Sequence, residues 1–363
     1  MLSRSHLVNI DWFLIGLLLL NSIIGAVAIY SSSHYLPGNY FIKQMSWILV
    51  SIIILFVLLL IDYNFLISYA LFFYGICIVF LVGILFFGKL IAGTKSWIKM
   101  PFFQIQPSEI MKIAIILMLA RIFAEFKQSH LPWRTGLLSC VVVFVPFLLV
   151  ALQPDLGTAL TYIPIFIGVI ILAGINKKIL ILLLICVLIL GFTGWKFVMK
   201  DYQKQRILTL LFPQEDPLGS GYHILQSKIA IGSGGLLGKG YKKGTQSQLR
   251  FLPARHTDFI FSVIGEELGF AGVFFAILIY FLFLSRLFKS LLDSRDRVGV
   301  YIIFMVFMMI IGQFLINIMM TIGLFPVAGI PLPLLSYGGS SLLTNFIAVS
   351  LVLNIKMRRF ANV

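Results

Sequence analysis

Acidic residues are scarce in this chain: thirteen Asp and Glu stand among 363 residues, against twenty-eight Lys and Arg. Charge of either sign is thin, at 11% of the sequence, where soluble domains carry about 25%. So little polar surface excludes a water-soluble globule, and 60% of the residues are hydrophobic. Cysteine is rarer still. Cys77, Cys140 and Cys186 all lie inside apolar stretches, where a thiol behaves as a small packing residue. No CxxC pair, Cys/His cluster or HxxxH pair offers a zinc site. The net charge of +15 raises the question of nucleic acid. Its distribution argues against that, because basic residues punctuate the apolar segments instead of forming one patch, as anionic membrane headgroups require.

What the chain has in abundance is long apolar runs. A helix needs about 20 apolar residues to cross the hydrocarbon. The sequence offers about ten such segments: 12–31, 46–61, 66–88, 110–125, 136–152, 157–174, 179–199, 259–285, 299–322 and 341–356. The first is read as a retained span, not a signal peptide, since no small-residue cleavage site follows it and nine more segments come after. The expected fold is therefore an all-α, polytopic membrane bundle, one integral domain over 1–363. One set of short loops carries Arg4, Arg121, Lys127, Arg134, Lys177, Lys178, Arg286, Lys289, Arg295, Arg297, Lys356, Arg358 and Arg359; the opposite set carries Lys43, Lys89, Lys95 and Lys99. The positive-inside bias then predicts cytoplasmic termini.

Two connections stand out. Residues 200–258 form a loop of about sixty residues on the outer face, long enough to escape the charge rule. Its apolar residues Ile207, Leu210, Leu211, Phe212, Ile224, Leu225, Ile229 and Ile231 predict an ordered structure lying on the membrane, with a short interfacial helix over 224–230. The second is GLFPVAGIPLPLLSYGGSS (323–341), where Pro326, Pro331, Pro333, Gly338 and Gly339 forbid a continuous helix. Irregular backbone at membrane depth must be buried in protein or line a cavity, which predicts a re-entrant loop facing the outer side.

With thirteen acidic residues, each can be placed. Asp11, Asp62, Glu125, Asp293 and Asp296 fall at cytoplasmic span ends, as interface anchors; Asp201, Glu215 and Asp216 lie in the large loop. Glu109 and Lys112 in QPSEIMK are spaced i,i+3 and can pair on one helix face. Asp155, in QPDLGT, is either a helix cap or a site residue. Asp258 closes FLPARHTDF, where the long outer loop enters a span beside Arg255, His256 and Thr257. Asp258 could itself cap that helix, but Thr257 can do so too and is the expected cap. Glu266 and Glu267 lie two turns deeper and need a partner or a proton there. A carboxylate at the outer face suits removal of a proton from a sugar hydroxyl while cations hold a diphosphate leaving group. The candidate cations are Arg206, Lys228, Lys239, Lys242, Lys243, Arg250 and Arg255. The Gly-rich run 232–240 would let backbone N–H groups approach phosphates.

QPSEIMK (106–112), QPDLGT (153–158), FLPARHTDFIF (251–261) with EELG (266–269), and PLPLLSYGGSS (331–341) resemble the signature blocks of the SEDS family (shape, elongation, division and sporulation), in the family's order. Within it, 216–240, 244–259 and 327–339 look most like the rod-shape members, with the cell-division members as close alternative. The resemblance implies a peptidoglycan glycosyltransferase that polymerises lipid II into β-1,4-linked glycan at the outer face of the bacterial cytoplasmic membrane. It implies work beside a class B penicillin-binding transpeptidase and other elongation-complex membrane proteins, among membrane lipids and without nucleic acid. The family's essential carboxylate falls on Asp258, and its polar cavity on Glu109, Lys112 and Asp155. Gln106, Ser108, Gln153, Arg206, Lys239, Lys243, Arg250, Arg255, His256, Thr257, Ser336 and Tyr337 become substrate-binding candidates. One departure is Ser96 before Trp97, where many members carry Arg. A divalent cation (magnesium or manganese) could assist the diphosphate, though the sequence holds no dedicated ligand cluster. The competing reading is a lipid II flippase; a third is a scaffold for the transpeptidase.

Overall fold

The structure, a computed structural model, describes residues 9–34, 38–91, 94–99, 104–124, 132–174, 196, 201–211 and 219–358. Its helices are α1 (Trp12–Ser33), α2 (Tyr40–Leu60), α3 (Tyr63–Ser68), α4 (Ala70–Phe87), α5 (Pro107–Ala124), α6 (Trp133–Leu152), α7 (Leu156–Leu160), α8 (Tyr162–Ala173), α9 (Asp201–Leu211), α10 (Ser220–Ser233), α11 (Thr245–Gln248), α12 (Ile260–Leu292), α13 (Arg297–Thr321) and α14 (Gly339–Arg358). Among the described residues, eight helical spans are long and apolar enough to cross a membrane: α1, α2, α4, α6, α7 with α8, α12, α13 and α14. α5 has 18 residues but carries Glu109, Lys112 and Arg121. It sits among α4, α6, α13 and α14, where those charges avoid lipid. Nine of the ten expected spans thus coincide with helices; the expected span 179–199 lies outside the described residues.

α14 is buried along nearly its whole length and packs on α2, α5 and α13. Lipid-facing helices leave large apolar side chains exposed, such as Phe86, Phe87 and Phe274. This is the inverse of a soluble fold and needs no explanation in hydrocarbon. Residues 89–91, 94–99 and 104–105 differ from expectation. They form a small antiparallel sheet ordered β1 (Lys89–Ile91), β2 (Thr94–Lys99) and β3 (Gln104–Ile105), with Lys89 opposite Trp97 and Ile98 opposite Ile105. Strands of two to six residues are too short to announce themselves by alternation.

The two ends of the bundle differ in chemistry. At one end Asp11 caps α1 through Leu14 N and accepts hydrogen bonds from Arg286 Nε (2.7 Å) and Lys356 Nζ (2.7 Å). Lys356 also reaches Asp293 (3.2 Å), and Arg358 pairs with Asp62 (3.1 Å). Burial would raise the Asp11 carboxyl, but the Arg286 and Lys356 bonds outweigh it and hold the group below its usual range. The acidic residues at these span ends therefore lace α1, α12 and α14 together. The opposite end gathers the sequence motifs.

Candidate active site at the motif end

The loop expected on the outer face is fixed to the bundle by an exchange of backbone hydrogen bonds. α12 breaks at Gly269 (φ 64°). In an unbroken helix Phe270 N and Ala271 N would donate to the carbonyls of Glu266 and Glu267. Instead they donate to Gly235 O (2.8 Å) and Leu236 O (3.0 Å). The released carbonyls of Glu266 and Glu267 accept from Lys239 N and Gly240 N, both at 3.0 Å. Two helical bonds become four bonds between segments. A side chain cannot fit between them, since a Cβ on Gly238 would collide with the Glu267 carbonyl and one on Gly269 with Gly238 N. Of the N–H groups in 232–240 expected to approach phosphates, those of Lys239 and Gly240 are thus engaged by the helix, and that of Gly238 by Gly234 O.

The Glu266 and Glu267 side chains complete the attachment. Glu266 is fully buried and accepts from Gln246 N (2.7 Å), Ser247 N (2.9 Å) and Lys239 Nζ (3.0 Å). Glu267 accepts from Ser31 Oγ (2.7 Å) and Gln248 Nε2 (3.1 Å), tying the loop to α1. The partner expected for one of these carboxylates is Lys239 for Glu266, though Lys239 itself is partly exposed. Farther along, Tyr241 OH donates to Val27 O (3.1 Å) and Lys242 Nζ lies 4.0 Å from the Tyr30 ring centroid. The interfacial helix expected over 224–230 is the middle of α10, whose Ser227 hydroxyl meets Ser262 Oγ (2.7 Å).

Asp258 is half-buried at the end of this anchored loop. The segment before it is locked inward. Arg255 donates through Nε to Ser32 O (2.6 Å) and through Nη1 to Ser247 O. Its guanidinium is buried against backbone, so it holds the loop and is not a surface cation. Thr257 donates to Ala254 O (3.1 Å), and the helix N-cap is Phe259, without a side-chain bond; this corrects the expectation that Thr257 caps α12. The His256 ring packs between Tyr40 (4.5 Å) and Tyr337 (5.7 Å). Burial, helped by the Arg255 charge, lowers its pKa to about 4, which favours the neutral ring.

The Pro/Gly loop closes on Asp258 from the other side. Tyr337 N donates to His256 O (2.9 Å), and Asn317 Nδ2 reaches both Asp258 O (2.9 Å) and Ile330 O (2.7 Å). A methyl group on Gly329 would sit 3.7 Å from Asp258 Oδ2. The loop is irregular but its Ile330, Leu332, Leu334 and Leu335 are buried, as backbone at membrane depth requires. It also touches the QPDLGT block, where Gly157 leaves room for the Ala328 carbonyl that any Cβ would strike. Ser336 is spent on the turn, accepting from Leu332 N (2.9 Å), and Ser340 bridges Gln104 O and Gln106 N.

The remaining motif residues form the floor. Asp155 caps α7 through Thr158 N (3.2 Å) and accepts from Gln106 Nε2 (2.7 Å). Capping is therefore its visible role, together with tying two motif blocks. Gln153 turns away, donating to Leu81 O (2.9 Å), and Ser108 O accepts from the Tyr162 hydroxyl (2.8 Å). Lys112 Nζ lies 2.7 Å from Glu109 Oε2, both buried. Their alignment is not that of a hydrogen bond, and neither of these two atoms has another hydrogen-bond partner among the described residues. Losing one charge strands the other. Lys112→Met and Glu109→Gln should each lower thermal stability, and the double variant should lose less than their sum by about 1–3 kcal/mol. Strictly additive losses in a double-mutant cycle would show that the pair is uncoupled.

Of the proposed cations, Lys228, Lys243 and Arg250 are exposed on the outer loop, whereas Lys239 is held by Glu266. The Arg206 side chain, like those of Lys95 and Lys99, lies outside what the structure describes; Ser96 is buried. Among the described residues no group of three or more His, Cys, Asp or Glu is placed to hold a metal ion.

Fold and site together define a polytopic helical membrane protein with one half-buried carboxylate presented at the motif end of its bundle. The family model described as "Cell cycle protein", covering the FtsW, RodA and SpoVE group, matches residues 9–360, and the chain belongs to this SEDS family. It is 38% identical over 352 residues to the peptidoglycan glycosyltransferase MrdB of Escherichia coli K12, covering 97% of this chain and 95% of that protein. It is 33% identical to the peptidoglycan glycosyltransferase RodA of Treponema pallidum, covering 97% and 98%. A chain of a solved structure titled "Structural coordination of polymerization and crosslinking by a peptidoglycan synthase complex" superposes with a TM-score of 0.83 at 30% identity, covering 97% of this chain and 98% of that one.

Proposed function

We propose that Asp258 is the general base of an inverting polymerisation of lipid II. The chain is a peptidoglycan glycosyltransferase, as its relatives MrdB and RodA are named, and its likeness to them supports a role in cell elongation. The observation that carries the base assignment is the immobilisation of Asp258. Its loop is spliced into α12, and its backbone is tied to the Pro/Gly loop, while the carboxylate stays half-buried. A sugar hydroxyl loses its proton to Asp258 as its oxygen attacks the anomeric carbon. The bond to the diphosphate breaks with its electron pair on the leaving oxygen. One such displacement turns an α-linked diphosphate into a β-glycoside, with no covalent enzyme intermediate. The exposed Lys228, Lys243 and Arg250 are the cations suited to the departing diphosphate; no step is routed through magnesium or manganese. The product should be digestible by lysozyme, which cleaves β-1,4 linkages between its sugars. A lysozyme-resistant polymer would rule out inversion.

The basic network at the far end supports a reading with both termini in the cytoplasm, Asp258 outside, and the bacterial inner membrane as the protein's location. A membrane-impermeant thiol reagent should label a cysteine at Ser233 from outside and spare one at Ser294; the reverse pattern would overturn the orientation. The partner we propose is a class B penicillin-binding transpeptidase, in line with the synthase complex that this chain resembles.

A further inference from the structure

We infer that Asn317 is a positioning residue for Asp258, an inference that rests on Asp258 being the general base. Asn317 is fully buried in α13, within a run of apolar side chains. A lone amide there is expensive unless it is bonded. Its Nδ2 donates to two carbonyls, Asp258 O at 2.9 Å and Ile330 O at 2.7 Å. Those carbonyls belong to two segments far apart in sequence: the end of the outer loop and the middle of the Pro/Gly loop.

The second tie between the same segments, Tyr337 N to His256 O, acts two residues upstream of Asp258. Asp258 N and Phe259 N donate to Ala254 O (3.0 and 3.3 Å), which closes the segment on itself without tying it to the Pro/Gly loop at this point. Asn317 supplies that tie by holding the base's own carbonyl beside the Ile330 carbonyl, next to the Gly329 backbone that borders the carboxylate. Both segments carry irregular backbone, so neither has a helical ladder to fix it at this point. The amide is therefore the element that converts a loop aspartate into one of defined position, and rate depends steeply on such placement.

Asn354 provides a control at the opposite end of the bundle. It is equally buried, and its Nδ2 likewise bridges two carbonyls, Leu58 O (2.8 Å) and Ile61 O (2.6 Å). Its Oδ1 also accepts from Arg358 Nε (3.1 Å), whereas Asn317 Oδ1 has no hydrogen-bond partner among the described residues. Asn317→Asp and Asn354→Asp each replace the donor amide with an acceptor of the same shape, and only at 354 does the new charge meet a cation, so activity is compared per folded molecule. Turnover of lipid II per monodisperse molecule should fall about 10- to 100-fold for Asn317→Asp, with KM within about twofold, and stay near wild type for Asn354→Asp. If Asn317→Asp does not yield folded protein, Asn317→Ser, which retains one hydroxyl donor, gives the same contrast. Equal losses at 317 and 354, or wild-type turnover at 317, would overturn the inference. Asp258→Asn run alongside separates the two claims: full activity there sinks the base assignment, whereas activity lost at 258 but retained at 317 sinks only the positioning role.

Discussion

Asp258→Asn should stop glycan synthesis by the purified protein and leave its fold intact. The substitution keeps the side-chain shape and removes only the basic oxygen. A positioned general base contributes about 10²–10⁴-fold to rate, so strand formation should drop by at least about a hundredfold. Stability should hold, because the amide keeps the carboxylate's shape and the backbone bonds of this segment remain: the Asp258 carbonyl to Asn317, and His256 O to Tyr337 N. Asp258→Glu should also be poor. The added methylene displaces the carboxylate by about an ångström in a site where placement governs rate. Thermal unfolding in detergent and a gel assay of lipid II polymerisation check both halves. A variant that unfolds at wild-type temperature yet polymerises at an undiminished rate would move attention to Asp155 and Glu109.

Gly269→Ala should unfold or inactivate the protein by a different route. Gly269 has φ 64°, where a Cβ costs about 1–2 kcal/mol. That Cβ would also overlap Gly238 N and the Leu236 carbonyl, and overpacking adds about 1–3 kcal/mol. The expected loss is about 2–5 kcal/mol of stability. Relief can come only by withdrawing 235–240 from the kink, which leaves the carbonyls of Glu266 and Glu267 without donors. Loosening this splice also loosens the loop that carries Asp258, so activity should fall in whatever fraction remains folded. Gly83→Ala is the comparison: a Cβ there meets nothing within 4 Å, and stability should stay within about 1 kcal/mol. Matching behaviour of the two variants in thermal unfolding would show that the splice carries no stability.

The bundle was legible because crossing a membrane demands length and apolarity, both local properties. Every expected span within the described residues is a helix. The Pro/Gly loop was legible for the same reason in reverse, since prolines at 326, 331 and 333 cannot continue a ladder. The i,i+3 spacing of Glu109 and Lys112 gave their pairing directly. The hydrogen-bond exchange at Gly269 was not legible. A glycine-rich run announces close backbone approach but not what approaches, and here the visitor is a helix 30 residues downstream, not a phosphate. The orientation of Arg255 was hidden likewise: a basic residue beside a candidate site reads as a substrate cation until the carbonyls of Ser32 and Ser247 are seen around it. Asn317 was overlooked although a signal existed, since one amide inside FLINIMM is a costly polar group at membrane depth.

The central claim is that this chain itself joins sugars, with Asp258 at its outer face as the base. The most direct measurement is incubation of the purified protein, alone and with its transpeptidase partner, with lipid II in reconstituted vesicles, followed for strand formation and for passage of lipid II between leaflets. The account predicts glycan strands from the wild type. Passage of lipid II across the bilayer with no strands in either preparation would contradict it.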